Sequence, residues 1–325
     1  MSFTKRAFAK TLLACSLAAT AGLAFGQAPA TQGRIVVGNQ PGGATDIMAR
    51  LLAPSFTAAL GHSFVVENRT GASGNLASEY VAKAPPDGNT ILLIFNAHTT
   101  TGPLYPKLPF DPIKDFSSIG MIAETPYLIV ARPNIGVDNM RDLIARAKRT
   151  NTPLTAGSPG PGTPHHLLYE RTKKLSDVPI NAIHYKGSAP AQNDVMGGHV
   201  DFMISTPSLG APLVKSGKLV LLGVTSDARL PDFPNTPTAR EAGIEALVGA
   251  NVWLALVVPA KTPRATVMNL NKVLNDALKS PETLARLQAI GMKPAPTTPE
   301  AMDKVLLQEQ AVWGQLIREN KITAE

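Results

Sequence analysis

Cysteine is nearly absent: Cys15 is the single one in a chain of 325 residues. No intrachain disulfide, redox pair or cysteine metal cluster can therefore be built. Aromatic residues make up only 5%, and no Lys/Arg run stands beside exposed-looking aromatics, which argues against nucleic-acid binding. Beyond the N-terminus no apolar run reaches the roughly 18 residues a bilayer span requires. Catalytic motifs are missing as well, with no HExxH, no GxSxG nucleophile elbow and no GxxxxGK[ST] phosphate loop. The nearest approach to an elbow, Gly71-Ala72-Ser73-Gly74, lacks its spacing and reads as a turn and N-cap before a helix carrying Leu76, Tyr80 and Val81. His165 and His166 are adjacent, so on a helix they point about 100° apart and do not share a metal ion. His62, His98, His184 and His199 are scattered, and none is paired in sequence with a nucleophile. No metal, cofactor or enzymatic activity is expected.

What is present begins with a leader. Lys5, Arg6 and Lys10 precede an uncharged stretch, 11–25, that is too short to cross a bilayer, and Ala24 and Gly26 are small enough for a signal-peptidase site. These features predict a secretory signal over 1–26, cleavage near Gly26/Gln27 and a periplasmic product. Leu12-Leu13-Ala14-Cys15 offers a lipoprotein alternative, but only four residues separate Lys10 from Cys15, too few for a hydrophobic core. The formal charge is +7; the leader holds three of those cations and no acid, leaving a mild +4 that favours anionic solutes weakly.

From Arg34 onward, short apolar runs bounded by Gly, Asn or Pro alternate with segments of helical spacing, the pattern of an α/β chain with mostly parallel strands. Strands are predicted at 35–38, 64–67, 90–95, 127–131, 154–156, 180–185, 200–204, 219–225 and 252–258. Thr262-Pro263, Ser280-Pro281 and Thr298-Pro299 announce helix starts, each an N-cap hydroxyl before a first-turn proline. Three helices should therefore close the chain. The middle, about 127–225, can form a lobe of its own, and the proline-rich 231–237 reads as a surface connector.

Two strand-to-helix loops carry the functional signal. Pro41-Gly42-Gly43-Ala44-Thr45-Asp46 follows the first strand, and Gly157-Ser158-Pro159-Gly160-Pro161-Gly162-Thr163-Pro164 precedes a helix at about 165–174. Glycine lets the backbone come close to a guest, and the free N–H groups of the following helix present the positive end of its dipole. Neither loop contains Lys or Arg. Three or four hydrogen bonds to a carboxylate and two helix termini still total roughly 6 to 14 kcal/mol before the cost of association. Micromolar binding is thus within reach of backbone alone.

The ordered run PGGATD, Val66-Glu67-Asn68-Arg69-Thr70-Gly71-Ala72, Pro86-Asp87-Gly88-Asn89-Thr90, Leu108-Pro109-Phe110-Asp111, GSPGPGT, His184-Tyr185-Lys186-Gly187-Ser188, Gly197-Gly198-His199-Val200-Asp201 and Pro237-Thr238-Ala239-Arg240-Glu241-Ala242-Gly243 resembles the Bug/TctC family of tripartite tricarboxylate transporter receptors. The resemblance implies a type II periplasmic binding fold: two α/β lobes, here 27–125 plus about 235–325 and 126–234, with mostly parallel sheets joined by two crossing strands. It implies a monomeric receptor that captures a small organic carboxylate for membrane permease subunits, or alternatively for a sensor kinase. Carried over by position, one jaw comprises Gly42, Gly43, Ala44, Thr45 and Asp46, and the other Ser158, Gly162 and Thr163. Lys186, Gly187 and Ser188, with Asp201, Ser205 and Thr206 at the end of the next strand, are expected to line the far wall. His98, just past a strand end, is a further candidate.

This sequence departs from the family at Asn39, where a bulky apolar residue is usual; its amide can serve a polar solute group or simply a turn. Asp46 has two readings, a partner for a solute ammonium or hydroxyl and a carboxylate that satisfies the first turn of its own helix. A hydrolase built on the same scaffold is the remote alternative.

Overall fold

The computed structural model describes residues 32–323, so the expected leader and its cleavage point lie outside the described residues. Within them the strands are, in chain order, β1 (Gly33–Val37), β2 (Phe64–Asn68), β3 (Thr90–Phe95), β4 (Phe116–Pro126), β5 (Leu128–Ala131), β6 (Leu154–Ser158), β7 (Ile180–His184), β8 (Phe202–Ser205), β9 (Val220–Val224), β10 (Asn251–Pro259) and β11 (Lys293–Pro294). The helices are α1 (Ala44–Leu60), α2 (Asn75–Ala82), α3 (His98–Leu104), α4 (Met140–Thr150), α5 (Pro164–Ser176), α6 (Ser188–Met196), α7 (Pro207–Lys215), α8 (Arg264–Ala277), α9 (Pro281–Ala289) and α10 (Pro299–Glu319). Two sheets result, one ordered β11-β4-β10-β3-β1-β2 and the other β7-β6-β8-β5-β9. None of the described helices is long and apolar enough to cross a membrane.

The strand directions determine where a site can form. In the first sheet β1 runs parallel to β2 and β3, while β10 is antiparallel to β3 and to β4. Asn251, at the start of β10, faces Pro126 at the end of β4, beyond the carboxyl end of β3. In the second sheet β6 runs parallel to β7 and β8, and Leu128 at the start of β5 pairs with both Ser205 and Val224. Only Tyr127 separates β4 from β5. The chain therefore leaves the first sheet and enters the second at carboxyl edges, and the strand-to-helix turns of both sheets are brought to one cleft, where α/β folds bind ligands.

Each sheet is apolar on both faces because helices cover both. Met48, Leu52 and Phe56 of α1 and Val267, Leu270 and Leu274 of α8 cover one face of the first sheet. Ala77 and Val81 of α2, with Met302 and Leu306 of α10, cover the other. Each fully buried Val, Leu, Met or Phe among them contributes about 1.5 to 3 kcal/mol. The second sheet is covered by Leu143 and Ile144 of α4 with Leu168 and Tyr169 of α5 on one side, and by Ala191 and Val195 of α6 on the other.

Four expectations need correction. The sheets are mixed, not mostly parallel: β10 is antiparallel to β3 and β4, β11 to β4, and β5 to β8 and β9. Strand β4 was missed: Ser117, Ser118 and Gly120 interrupt its apolar run, and the register shifts twice against β10, so neither strict alternation nor a continuous apolar run marks it. Thr262 is not an N-cap; the extended residue before α8 is Pro263, whereas Ser280 and Thr298 do accept from Thr283 N–H and Ala301 N–H as read. The segment after β9 also stays with the second sheet longer than an edge at about 234 implies, since Ala239, Ala242, Ile244, Ala246 and Leu247 share its core. The chain returns to the first sheet at Asn251.

Candidate functional site

Loop 38–43, between β1 and α1, is built around Asp46. Its Oδ2 accepts from Gly42 N–H at 2.9 Å and from Arg50 Nε at 3.0 Å, and its Oδ1 accepts from Asn68 Nδ2 at 3.0 Å. Asn68 Nδ2 also reaches the Asn39 carbonyl at 3.1 Å, tying the end of β2 to the loop. The side chain is 3% exposed, and the Arg50 hydrogen bond, helped by Gly42 and Asn68 against the cost of burial, holds its pKa at about 2. Asp46 is thus an ionised brace inside the loop, and its polar capacity is spent on protein groups. Gly42 sits at φ +88°, open to glycine and strained for other residues.

The consequence lies in the backbone. Gly43 caps α1 in extended conformation with no side-chain bond, and Pro41 to Ala44 are exposed. The N–H groups of Gly43, Ala44 and Thr45 have no acceptor among the described residues, as the first turn of a helix dictates. Asp46 therefore folds the loop so that these donors point outward with the positive end of the helix dipole.

A feature missed in the sequence supports this loop from below. A Cβ on Gly38 would meet the Gly74 backbone at 2.8 Å, so the turns after β1 and β2 pack backbone on backbone. Gly71, Ala72 and Gly74 all have positive φ, and Gly74 itself caps α2. The turn read from Gly71 to Gly74 is present, and its glycine spacing was the available signal. A recess of about 30 Å³ lies behind it, lined in part by Asn39, Asn75 and Ala97.

On the opposing sheet, Thr163 caps α5. Its hydroxyl accepts from His166 N–H at 3.4 Å and donates to the Gly160 carbonyl at 2.8 Å. Gly162 N–H, expected to face a ligand, is instead taken by His166 Nδ1 at 3.0 Å. That bond requires a neutral ring, and burial, with His184 and Lys173 nearby, lowers the His166 pKa to about 4. Ser158 is fully buried and exchanges bonds with Gly160. The donors left at this helix start are the N–H groups of Thr163 and His165, since Pro164 has none.

The remaining candidates divide. Gly187, at φ +108°, donates to the Pro159 carbonyl and joins the loops after β6 and β7, with Lys186 exposed beside it and Ser188 opening α6. Ser205 and Thr206 end β8 and lead into α7 at the cleft edge. Asp201 does not join them. It precedes β8, accepting from Thr155 N–H and Oγ1 at 2.9 Å each and from Arg132 Nε at 3.3 Å. Ser205 lies four residue steps further on, about 13 Å along the strand, so Asp201 locks the far end of the sheet. His98 borders the recess behind the first loop, but its ring is engaged by protein: its Nε2 lies 2.7 Å from the Pro112 carbonyl, it meets Phe116 edge-on, and burial lowers its pKa to about 4.

The hinge supplies polar groups that sequence reading passed over. Tyr127 N–H donates to Thr225 Oγ1 at 2.8 Å, Thr225 N–H returns a bond to the Tyr127 carbonyl at 3.0 Å, and Asn96 Nδ2 donates to the Asn251 carbonyl at 3.3 Å. The first two bonds tie the β4–β5 crossing to the end of β9, and the third ties the end of β3 to the start of β10, where the chain returns to the first sheet. Among the described residues no group of three or more His, Cys, Asp or Glu could hold a metal ion.

Comparisons with known proteins agree with this architecture. Residues 48–322 match the family described as "Tripartite tricarboxylate transporter family receptor". Protein BugT of Bordetella pertussis is 33% identical over 293 residues, covering 90% of each chain. A Rhodopseudomonas palustris protein, Rpa4515, solved with adipate, is 34% identical with a TM-score of 0.73, covering 91% of this chain and 99% of its own. MatC from the same organism, solved with bound malate, is 28% identical with a TM-score of 0.70, covering 88% and 99%.

Proposed function

The chain belongs to the tripartite tricarboxylate transporter family of solute-binding receptors, and from that premise we propose that it captures a small dicarboxylate in the periplasm and delivers it to membrane permease subunits. The observation that carries the reading is the pair of helix starts on opposing sheets, α1 at Gly43 and α5 at Thr163, both at carboxyl strand ends and both with unspent N–H donors. One carboxylate fits the Gly43, Ala44 and Thr45 donors; the second meets Thr163 and His165. Adipate in Rpa4515 and malate in MatC, both dicarboxylates, support that solute class. The protein's task is recognition and release, with no bond made or broken.

Binding to the folded state raises its stability by mass action, about 2.7 kcal/mol at one hundred times Kd. A thermal-shift panel of dicarboxylates, tricarboxylates, acidic amino acids, aromatic acids and neutral sugars should give its largest increase with a dicarboxylate. Stabilisation by a sugar and by no acid would overturn the proposal.

A further inference from the structure

A second cavity, of about 170 Å³, lies beside the hinge; Pro164 at the start of α5 borders it, but none of the Gly42 to Asp46 loop nor Gly162 and Thr163 does. Its walls come from α5, from the C-terminal helix α10 and from both crossing segments. The apolar side is Leu168, Val312 and Trp313. Arg171 faces it half-buried, with its guanidinium 5.8 Å from the centre of the Trp313 ring; Glu245 attracts it from a distance, and no acid among the described residues lies within ion-pair reach. Tyr127, 1% exposed, receives a hydrogen bond from Asn96 Nδ2 at 3.4 Å, and its own O–H has no acceptor among the described residues.

Glu309 stands in the same wall, but its oxygens are engaged, one by Trp253 Nε1 at 2.8 Å and the other by Thr99 Oγ1 at 3.2 Å. A guest with two negative charges would set one of them against Glu309. The volume equals the share of five or six waters at ~30 Å³ each, room for one six-membered ring bearing a carboxyl group.

We propose that this flank pocket is a second binding site, for a monocarboxylate with a compact apolar body, its carboxylate on Arg171 and the Tyr127 hydroxyl and its body on Leu168, Val312 and Trp313. Planar, bidentate recognition of a carboxylate is what a guanidinium provides. Because α5 offers its N-terminus to the cleft and its flank to this pocket, a guest here bears on the same helix that carries Thr163. Occupancy therefore couples to solute capture through one rigid element.

Benzoate serves as the probe, titrated calorimetrically into the intact protein and three variants whose folding is checked by circular dichroism. Arg171→Gln removes the charge; Val312→Trp, at a residue 46% exposed, fills the cavity while leaving Arg171 in place; Gly42→Ala perturbs the cleft alone. The proposal expects saturable binding that weakens at least about tenfold in the first two variants and stays within about twofold in the third. Absence of saturable binding up to about 10 mM would overturn it, as would benzoate affinity that is lost in Gly42→Ala and kept in Arg171→Gln and Val312→Trp.

Discussion

Replacing Asp46 by Asn tests whether the brace beneath the first loop orders the backbone donors. The carboxylate takes three hydrogen bonds, from Gly42 N–H, Arg50 and Asn68, and an amide of the same shape can accept at one end only. If its oxygen keeps Gly42 and Arg50, its NH2 faces the Asn68 NH2, which must turn and give up the Asn39 carbonyl. The fall of the Asp46 pKa from 3.8 to about 2 sets a ceiling of about 2.4 kcal/mol at 1.36 kcal/mol per pK unit. Arg50 is 55% exposed, so solvent screening reduces the contribution to ~1 kcal/mol. A depressed carboxylate pKa gives stability that is complete above the unfolded value and is lost as pH falls through the folded one. The melting temperature of D46N should therefore lie about 2 to 3 °C below the parent at pH 7. The gap should hold to about pH 5, be roughly halved at pH 3 and vanish near pH 2. Dicarboxylate affinity should fall about tenfold although the side chain touches no solute. Equal melting temperatures at pH 7, or a gap unchanged at pH 3, would refute the reasoning.

Three further outcomes are expected. Thr163→Ala removes the hydroxyl shared by Gly160 and His166; it should cost ~1 kcal/mol in chemical denaturation, the usual worth of an N-cap, and weaken dicarboxylate binding in calorimetry. Asn271 donates to the Ile119 and Thr297 carbonyls at 2.7 and 2.8 Å, so Asn271→Ala strands two carbonyls and should destabilise by about 2 to 4 kcal/mol in urea unfolding. His98, with its pKa lowered from 6.5 to about 4 by burial, binds fewer protons folded than unfolded across that window. His98 should accordingly contribute a loss of up to about 3 kcal/mol on acidification from pH 6.5 to 4, and His98→Gln should remove that share of the slope without altering dicarboxylate affinity, leaving the shares of His165 and His166, which burial also lowers to about 4.

The α/β alternation and the two glycine loops could be read from sequence because both are local signals. A strand such as residues 90–95 carries an unbroken apolar run after Thr90, and a turn such as Pro41-Gly42-Gly43 names its own backbone geometry. Strand β4 escaped because its apolar positions are set by the central place of Ser118 and Gly120 in the sheet, where Gly120 makes room for Asn271 and Thr297. Asp201 was misplaced for a related reason: the pattern around Val200 locates a strand without showing that Asp201 lies at its start. Gly162 looked like a free donor until the fold brought His166 back over it. Asp46 and Arg50 stand four residues apart on one helix, a spacing the sequence displays, but Asn68 joins them only when β2 pairs with β1, and no spacing along the chain reveals that.

In the proposed binding mode, helix-start N–H groups on both sheets hold one solute. Titrating adipate or malate into ¹⁵N-labelled protein and following the amide resonances tests it directly. Gly43, Ala44 and Thr45 should shift together with Thr163 and His165, all fitting one dissociation constant. Saturable binding that leaves either group of amides unmoved would contradict it.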